Sequence, residues 1–384
     1  MKVSKTAVTL GAVLALAACS DESPVAGRAT VAAPLLSAGA NAIEGQYIVV
    51  LNEGANARAV AGLVNADPSQ VYSAALNGFS VSLNAGQLNA VRNHPAVAYV
   101  EEDQSFELAA TQSGATWGID RIDQRARPLS GTYTYTSTAS TVYAYIIDTG
   151  ILPSHSNFGG RAAVSYDALG GNGVDCNGHG THVAGTIGST TYGVAKSVRL
   201  RGVRVLNCSG SGSTSGIIAG IDWVRLNRTN PAVANLSLGG GYSASLNTAV
   251  TNLANSGVFV AVAAGNENQN ACNVSPASAP AVTTVAASTS TDARASYSNY
   301  GSCVDLYAPG SSITSTWSNG GTSTISGTSM ASPHVAGVAA LYKATYGNAS
   351  QSTIDSWIKT NSTANVITGN PSGTPNRLLF KASL

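Results

Sequence analysis

Apolar residues fall along this chain in two patterns. Between residues 44 and 109 they come in short segments with one buried face. Gln46-Tyr47-Ile48-Val49-Val50-Leu51 and Val97-Ala98-Tyr99-Val100 suit strands, and Phe79-Ser80-Val81-Ser82-Leu83 alternates strictly. Ala57–Val64 and Ala85–Asn93 fit helices, the second with Leu88 and Val91 turned inward. With a weaker strand near Val71, the predicted order is β-α-β-β-α-β, the split βαβ (ferredoxin-like) arrangement of a small α+β domain.

From Thr141 onward the runs are apolar on both faces. Thr141–Ile147, Leu200–Leu206, Val233–Leu238, Gly257–Ala263, Val282–Ala286 and Val304–Ala308 read as fully buried strands. Helical stretches separate them: His179–Ile187, Thr214–Leu226, Ser243–Ala254 and Ser329–Tyr346. Such alternation predicts an α/β domain, a doubly wound and mostly parallel sheet with helices on both faces. Ligands of such sheets bind beyond the carboxyl ends of the strands, so the residues there carry the functional question.

Composition narrows the class. Only 10% of the 384 residues are charged, and 20 Lys and Arg balance 19 Asp and Glu, which argues against nucleic acid or strongly acidic partners. An apolar share of 44% argues against general disorder. Lys2 and Lys5 precede an uncharged run from Thr6 to Ala18, so residues 1–18 read as an export signal. Leu16-Ala17-Ala18-Cys19 resembles the bacterial lipoprotein signal; ordinary cleavage after Ala15-Leu16-Ala17 is the alternative, and both predict export. A lipid on Cys19 of the precursor would be the only tie to a membrane. Residues 19–43 carry no periodicity and read as a linker. Cys176, Cys208, Cys272 and Cys303 remain, with three connectivities open and no C-x-x-C pair to favour zinc. Two disulfides suit an exported chain.

Four polar residues stand where the sheet would gather them. Asp148 ends a predicted strand, Asn266 follows Ala263-Ala264-Gly265, and His179 lies between two glycines at a helix start. Ser329 opens the last apolar helix, where free N–H groups and the dipole favour negative charge; Pro333 predicts that this helix has barely begun. His179 and His182 could be a metal pair, but the helical Glu of H-E-x-x-H is missing. Carboxylate, imidazole, amide and helix-capping hydroxyl together form the set needed for serine acyl transfer.

The segments Ala144-Tyr145-Ile146-Ile147-Asp148-Thr149-Gly150-Ile151, His179-Gly180-Thr181-His182-Val183-Ala184-Gly185 and Gly327-Thr328-Ser329-Met330-Ala331-Ser332-Pro333-His334 resemble the three signature segments of subtilisin-like serine proteases, in the family's order. The likeness runs from about Thr111 to the end and is nearest the proteinase K branch, especially aqualysin-like bacterial enzymes. It implies Ser329 as nucleophile, His179 as general base and acid, Asp148 as its orienter and Asn266 as oxyanion donor. The preceding domain, 44–109, resembles the family's inhibitor pro-domain, which would act as the chain's own inhibitor. The peptidase domain would then be 110–384, released by self-cleavage near Ala109-Ala110 after Phe106-Glu107-Leu108. The resemblance further implies a monomeric, secreted endopeptidase of broad specificity acting on polypeptides. Ser209-Gly210-Ser211-Gly212 and Ser237-Leu238-Gly239-Gly240 would bind substrate backbone by strand addition, and Ala263-Ala264-Gly265 would wall the pocket before the cut. It pairs Cys176 with Cys208 and Cys272 with Cys303. It implies structural calcium at Asp305 with the Pro280 and Val282 carbonyls, and a second calcium at Asp120, Asp123 and Gln124. At that second site Arg125-Ala126-Arg127-Pro128 departs from the family's Arg-Asp-Leu-Pro and removes a charge.

Overall fold

The computed structural model describes residues 31–39, 42–104 and 109–384. The signal segment, Cys19 and Phe106–Leu108 lie outside the described residues. The chain divides into two compact units, one of residues up to Leu36 together with Gly45–Glu102, the other of Ser37–Glu44 together with Asp103–Leu384.

The smaller unit has the expected β-α-β-β-α-β order. Its sheet runs Leu35–Leu36, Val97–Gln104, Ala42–Leu51, Gly78–Ser82, Pro68–Tyr72. Val49, Phe79, Val81, Val91 and Val100 are fully buried between this sheet and the helices Ala57–Leu63 and Ala85–Arg92. Asparagines start both helices: the Asn56 side chain accepts from the Ala59 N–H, and Asn84 forms a reciprocal capping box with Gln87. The linker expectation gives way at Leu35–Leu36, which pairs in parallel with Val100 and Glu101.

In the larger unit, nine strands form one sheet in the order Thr363–Ala364, Arg377–Leu378, Leu306–Pro309, Thr283–Ser288, Phe259–Ala263, Ala232–Leu236, Tyr143–Asp148, Arg199–Arg204, Ala162–Asp167. Every pairing is parallel except that of the two short strands at one edge. Alternation explains the two covered faces. Ala144 and Ile146 point into one core with Val183 and Ile187 of the helix His179–Gly188 and Val335 and Val338 of Thr328–Tyr346. Tyr145 and Ile147 point into the other, with Ile221 and Val224 of Thr214–Asn227 and Val250 and Leu253 of Ala244–Asn255. A strand with two buried faces must be largely apolar, as Tyr143–Asp148 is up to the Asp148 at its carboxyl end. The helix Thr328–Tyr346 is buried from Met330 through Lys343, so it is a core element with no polar face along that stretch. Sequence periodicity missed the half-buried edge strand Ala162–Asp167 and the helices Trp117–Asp123 and Gln351–Asn361.

Candidate active site

Because all the central strands run the same way, their carboxyl ends share one edge of the sheet, and the predicted polar residues meet there. Asp148 is the last residue of its strand and is fully buried. Its Oδ1 accepts from the Thr149 N–H at 2.7 Å and from His179 Nδ1 at 2.8 Å, while Oδ2 is buried with no partner. An ionised carboxylate can only accept, so the shared proton belongs to Nδ1 and the neutral ring keeps its lone pair on Nε2. Burial pulls the His179 pKa down, but the charge and hydrogen bond of Asp148, aided by Asp175, outweigh it and leave the ring above its ordinary value.

Close approach positions that imidazole. A Cβ on Gly180 would lie 2.2 Å from the Gly150 carbonyl oxygen, so only glycine lets the helix start sit on the strand end. Asp175, given no role by the sequence reading, ties the turn together. Its Oδ1 accepts from Thr149 Oγ1 and the N–H groups of Asn177 and Gly178, each at 2.9 Å, and its Oδ2 from Thr181 N at 2.8 Å and Oγ1 at 2.6 Å. Its signal in the sequence was an acidic residue just ahead of a helix N-terminus.

Ser329 is the second residue of its helix, after Gly327 as cap. Pro333 lies further in than expected, in the second turn. Its missing N–H would have bonded the Ser329 carbonyl, and that carbonyl instead accepts from Ser237 Oγ at 2.7 Å. Ser237 Oγ in turn accepts from Asn235 Nδ2 at 2.8 Å, and Asn235 Oδ1 accepts from Ser332 Oγ at 2.7 Å. Ser329 Oγ donates to the Ser237 carbonyl at 3.1 Å. No hydrogen bond joins it to His179 among the described residues, a looseness common before substrate binds.

Asn266 has a fixed amide orientation. Its Oδ1 accepts from Thr328 N at 2.8 Å and Oγ1 at 3.0 Å, which leaves Nδ2 as an unused donor. The Ser329 N–H is also unused, as an orphan of the helix start. A Cβ built on Gly327 would stand 3.6 Å from that nitrogen and 3.7 Å from both Nδ2 and Oδ1 of Asn266, so the two free donors lie close together at the helix start. An oxygen gaining negative charge would be held there.

A cleft of 540 Å³ adjoins His179 and is lined by Ser209–Gly212 and Ser237–Gly239. Gly240 lies just beyond it and pairs with Ser275, while Ala263 and Ala264 are buried at the neighbouring strand end ahead of Gly265. The chain bonds Cys176 to Cys208 and Cys272 to Cys303, as expected. The first bridge joins the turn before His179 to the segment leading into Ser209. His179 and His182 do not converge on a common point: His182 is fully buried, with Nε2 donating to the Ile313 carbonyl at 3.0 Å.

The implied calcium donors meet a different test. Asp305, Pro280 and Val282 line one cleft of 580 Å³, but Asp305 Oδ1 is already 2.6 Å from Lys359 Nζ and Oδ2 accepts from Thr284 N at 2.7 Å. In this arrangement the carboxylate does not fit a divalent cation. At the second set, Asp120 accepts from Ser130 and Gly131, Gln124 Oε1 accepts from Ser130 N, and Asp123 is divided between Thr134 N at 2.7 Å and Lys381 Nζ at 3.2 Å.

Doubly wound sheet, Asp–His pair and serine at a helix start define a hydrolase of the serine acyl-transfer type. The subtilase family model matches residues 140–378, and the peptidase inhibitor I9 model matches residues 46–109. The chain belongs to the subtilase family of serine proteases, with an inhibitor-type pro-domain ahead of the peptidase domain. It is 52% identical to an extracellular serine proteinase of Thermus sp. (strain Rt41A), over 96% of each chain. It is 55% identical to a subtilisin-like serine protease of Sarocladium strictum, over 84% of each. A solved cold-adapted subtilisin-like serine proteinase superposes with a TM-score of 0.69 at 52% identity, covering 71% of this chain and 99% of that one.

Proposed function

We propose that this chain is an exported endopeptidase of broad specificity, made as a precursor held inactive by its own pro-domain and matured near Ala109-Ala110. Ser329 Oγ attacks the substrate carbonyl, His179 Nε2 takes the proton and returns it to the leaving amine, and Asp148 holds the ring and the imidazolium that forms. Asn266 Nδ2 and the Ser329 N–H bind the oxyanion. Ser209–Gly212 and Ser237–Gly240 pair with the extended peptide backbone, which makes main-chain contacts the main source of affinity, and Ala263–Gly265 wall the pocket before the cut. The domains are residues 1–18 for the signal, 19–43 for the linker, whose Leu35–Leu36 adds an edge strand to the pro-domain sheet, 44–109 for the pro-domain and 110–384 for the peptidase. The enzyme works as a monomer. Self-cleavage would also release it from any lipid carried on Cys19.

The observation that carries this reading is the buried Asp148–His179 hydrogen bond at 2.8 Å, at the same sheet edge as Ser329, whose N–H and the neighbouring Asn266 Nδ2 are unused donors. The Thermus relative is an extracellular serine proteinase, which supports export of this chain. Subtilases commonly bind structural calcium; at Asp120, Asp123 and Gln124 the ion would have to displace Lys381 from Asp123 and the N–H donors from Asp120. The test is Ser329→Ala in the full chain: casein hydrolysis should vanish and the precursor should keep its exported size. Continued maturation and hydrolysis would sink the proposal.

A further inference from the structure

The amino ends of the parallel strands share the opposite edge of the sheet, and an ammonium held by two carboxylates is built into it. Lys359, on the helix Gln351–Asn361, places Nζ 2.6 Å from Asp305 Oδ1 and 2.7 Å from Asp355 Oδ2, the second contact within its own helix at i,i+4 spacing. Asp305 immediately precedes the strand Leu306–Pro309, and Pro280 and Val282 lie just ahead of Thr283–Ser288. The rest of the arrangement is braced. Asp305 Oδ2 accepts from Thr284 N at 2.7 Å, Asp355 Oδ1 from Thr283 Oγ1 at 2.8 Å, and Thr283 Oγ1 from Gln351 Nε2 at 3.0 Å. All four carboxylate oxygens are therefore engaged. About a quarter of the Lys359 side chain is exposed, at 27%, so the pair is largely shielded from solvent.

We infer that Lys359 takes the place of a divalent cation at Asp305, so that the helix Gln351–Asn361 is fastened to the sheet by an internal ion pair and this site does not take up calcium. The reasoning is electrostatic. One ammonium between two carboxylates cancels half of their charge, and a calcium ion at Asp305 would have to expel it against both contacts. A calcium ion on the same carboxylate oxygen would repel the ammonium at close range. Burial draws the Lys359 pKa down, but its bonds to Asp305 and Asp355 more than restore it, so the ammonium stays charged across the neutral range. The inference concerns stability and stands apart from the role of Ser329.

The chemistry also says what happens without the lysine. Removing the ammonium leaves two facing carboxylates beside the Pro280 and Val282 segments, an oxygen-rich set of the kind that binds calcium. The experiment measures calcium bound per chain by equilibrium dialysis, and Tm in calcium and in chelator, for the full chain carrying Ser329→Ala to prevent self-digestion. Lys359→Met should bind one more calcium than the parent and lose it again when combined with Asp305→Asn. Its Tm in chelator should fall by about 5 °C and recover with calcium. Lys359→Arg should keep the parental stoichiometry. Asp305→Asn made in the parent should leave the bound calcium unchanged. If that single change removes a calcium ion, or if Lys359→Met folds and gains none, the inference is wrong. Should Lys359→Met fail to fold, the Asp305→Asn comparison decides alone.

Discussion

Asp148 and Asp305 stand at opposite ends of one parallel sheet and do opposite things. Asp148, at a carboxyl end, has one oxygen on an imidazole and the other buried without a partner. Asp305, at an amino end, has both oxygens engaged, one by an ammonium and one by a backbone N–H. An imidazole can gain and lose a proton near neutrality, whereas a doubly paired ammonium cannot. The carboxylate facing the first supports chemistry, and the carboxylate facing the second fastens a helix. A glycine reinforces the difference: Gly180 lets the His179 helix sit directly on the strand end that carries Asp148.

Mutations should separate the two edges. At the carboxyl edge, Ser329→Ala should lower kcat by about 10⁶, the scale known for the nucleophile of subtilisin itself, with Tm nearly unchanged. Asp148→Asn should lower kcat by about 10⁴, again by the subtilisin scale. It should also move the acid limb of kcat/KM to lower pH, because Asp148 is what holds the His179 pKa up. Asn266→Ala should lower kcat by about 10²–10³ with little change in KM, a range measured for the same donor in subtilisin. At the amino edge, Lys359→Met should alter kcat/KM by less than about twofold while the enzyme stays folded. Steady-state assays on a peptide substrate, with Tm for each variant, read all four.

A third region sharpens the contrast, since it holds histidines with no carboxylate at all. His182 and His334 are buried, and burial pushes both pKa values down to about 4 from the ordinary 6.5, despite backbone hydrogen bonds to Ile313 and Met330 that pull the other way. Their folded pKa values are depressed, so the unfolded chain binds more protons as acid is added. Stability should be intact above about pH 6.5 and should fall as pH drops toward 4, by up to about 3 kcal/mol per ring. Chemical denaturation of the Ser329→Ala chain between pH 7 and 4 should show this decline. A flat profile would mean that the rings are charged or exposed in the folded state.

How much of this could be read in the chain follows the range of the interactions. Asp148, His179 and Ser329 each sit in a local pattern, a strand end or a helix start between small residues, and parallel topology brings such ends to one edge. Buried strands such as Ala232–Leu236 and Phe259–Ala263 are apolar whatever lies beside them, so they too were legible. Ala162–Asp167 was not, because an edge strand is covered on fewer sides and loses the continuous apolar run. Leu35–Leu36 owes its strand character to Val100 and Glu101, which lie far along the chain. Pro333 looked like a mark of the first turn because the hydroxyl that replaces its missing N–H comes from Ser237 on another element. The surroundings of Asp305 were hidden for the same kind of reason. The family resemblance implied calcium there, and only the packing of the helix Gln351–Asn361 brings Lys359 onto the carboxylate.

The central claim is that Ser329, mounted at the carboxyl edge and activated through His179 and Asp148, is the nucleophile. The most direct measurement is labelling of the mature enzyme with a serine-directed fluorophosphonate, followed by mass spectrometry of its peptides. The account predicts one adduct per chain, on Ser329, formed in step with loss of activity and absent from Asp148→Asn on the same timescale. An active enzyme that stays unlabelled, or is inactivated by an adduct on another serine, would contradict it.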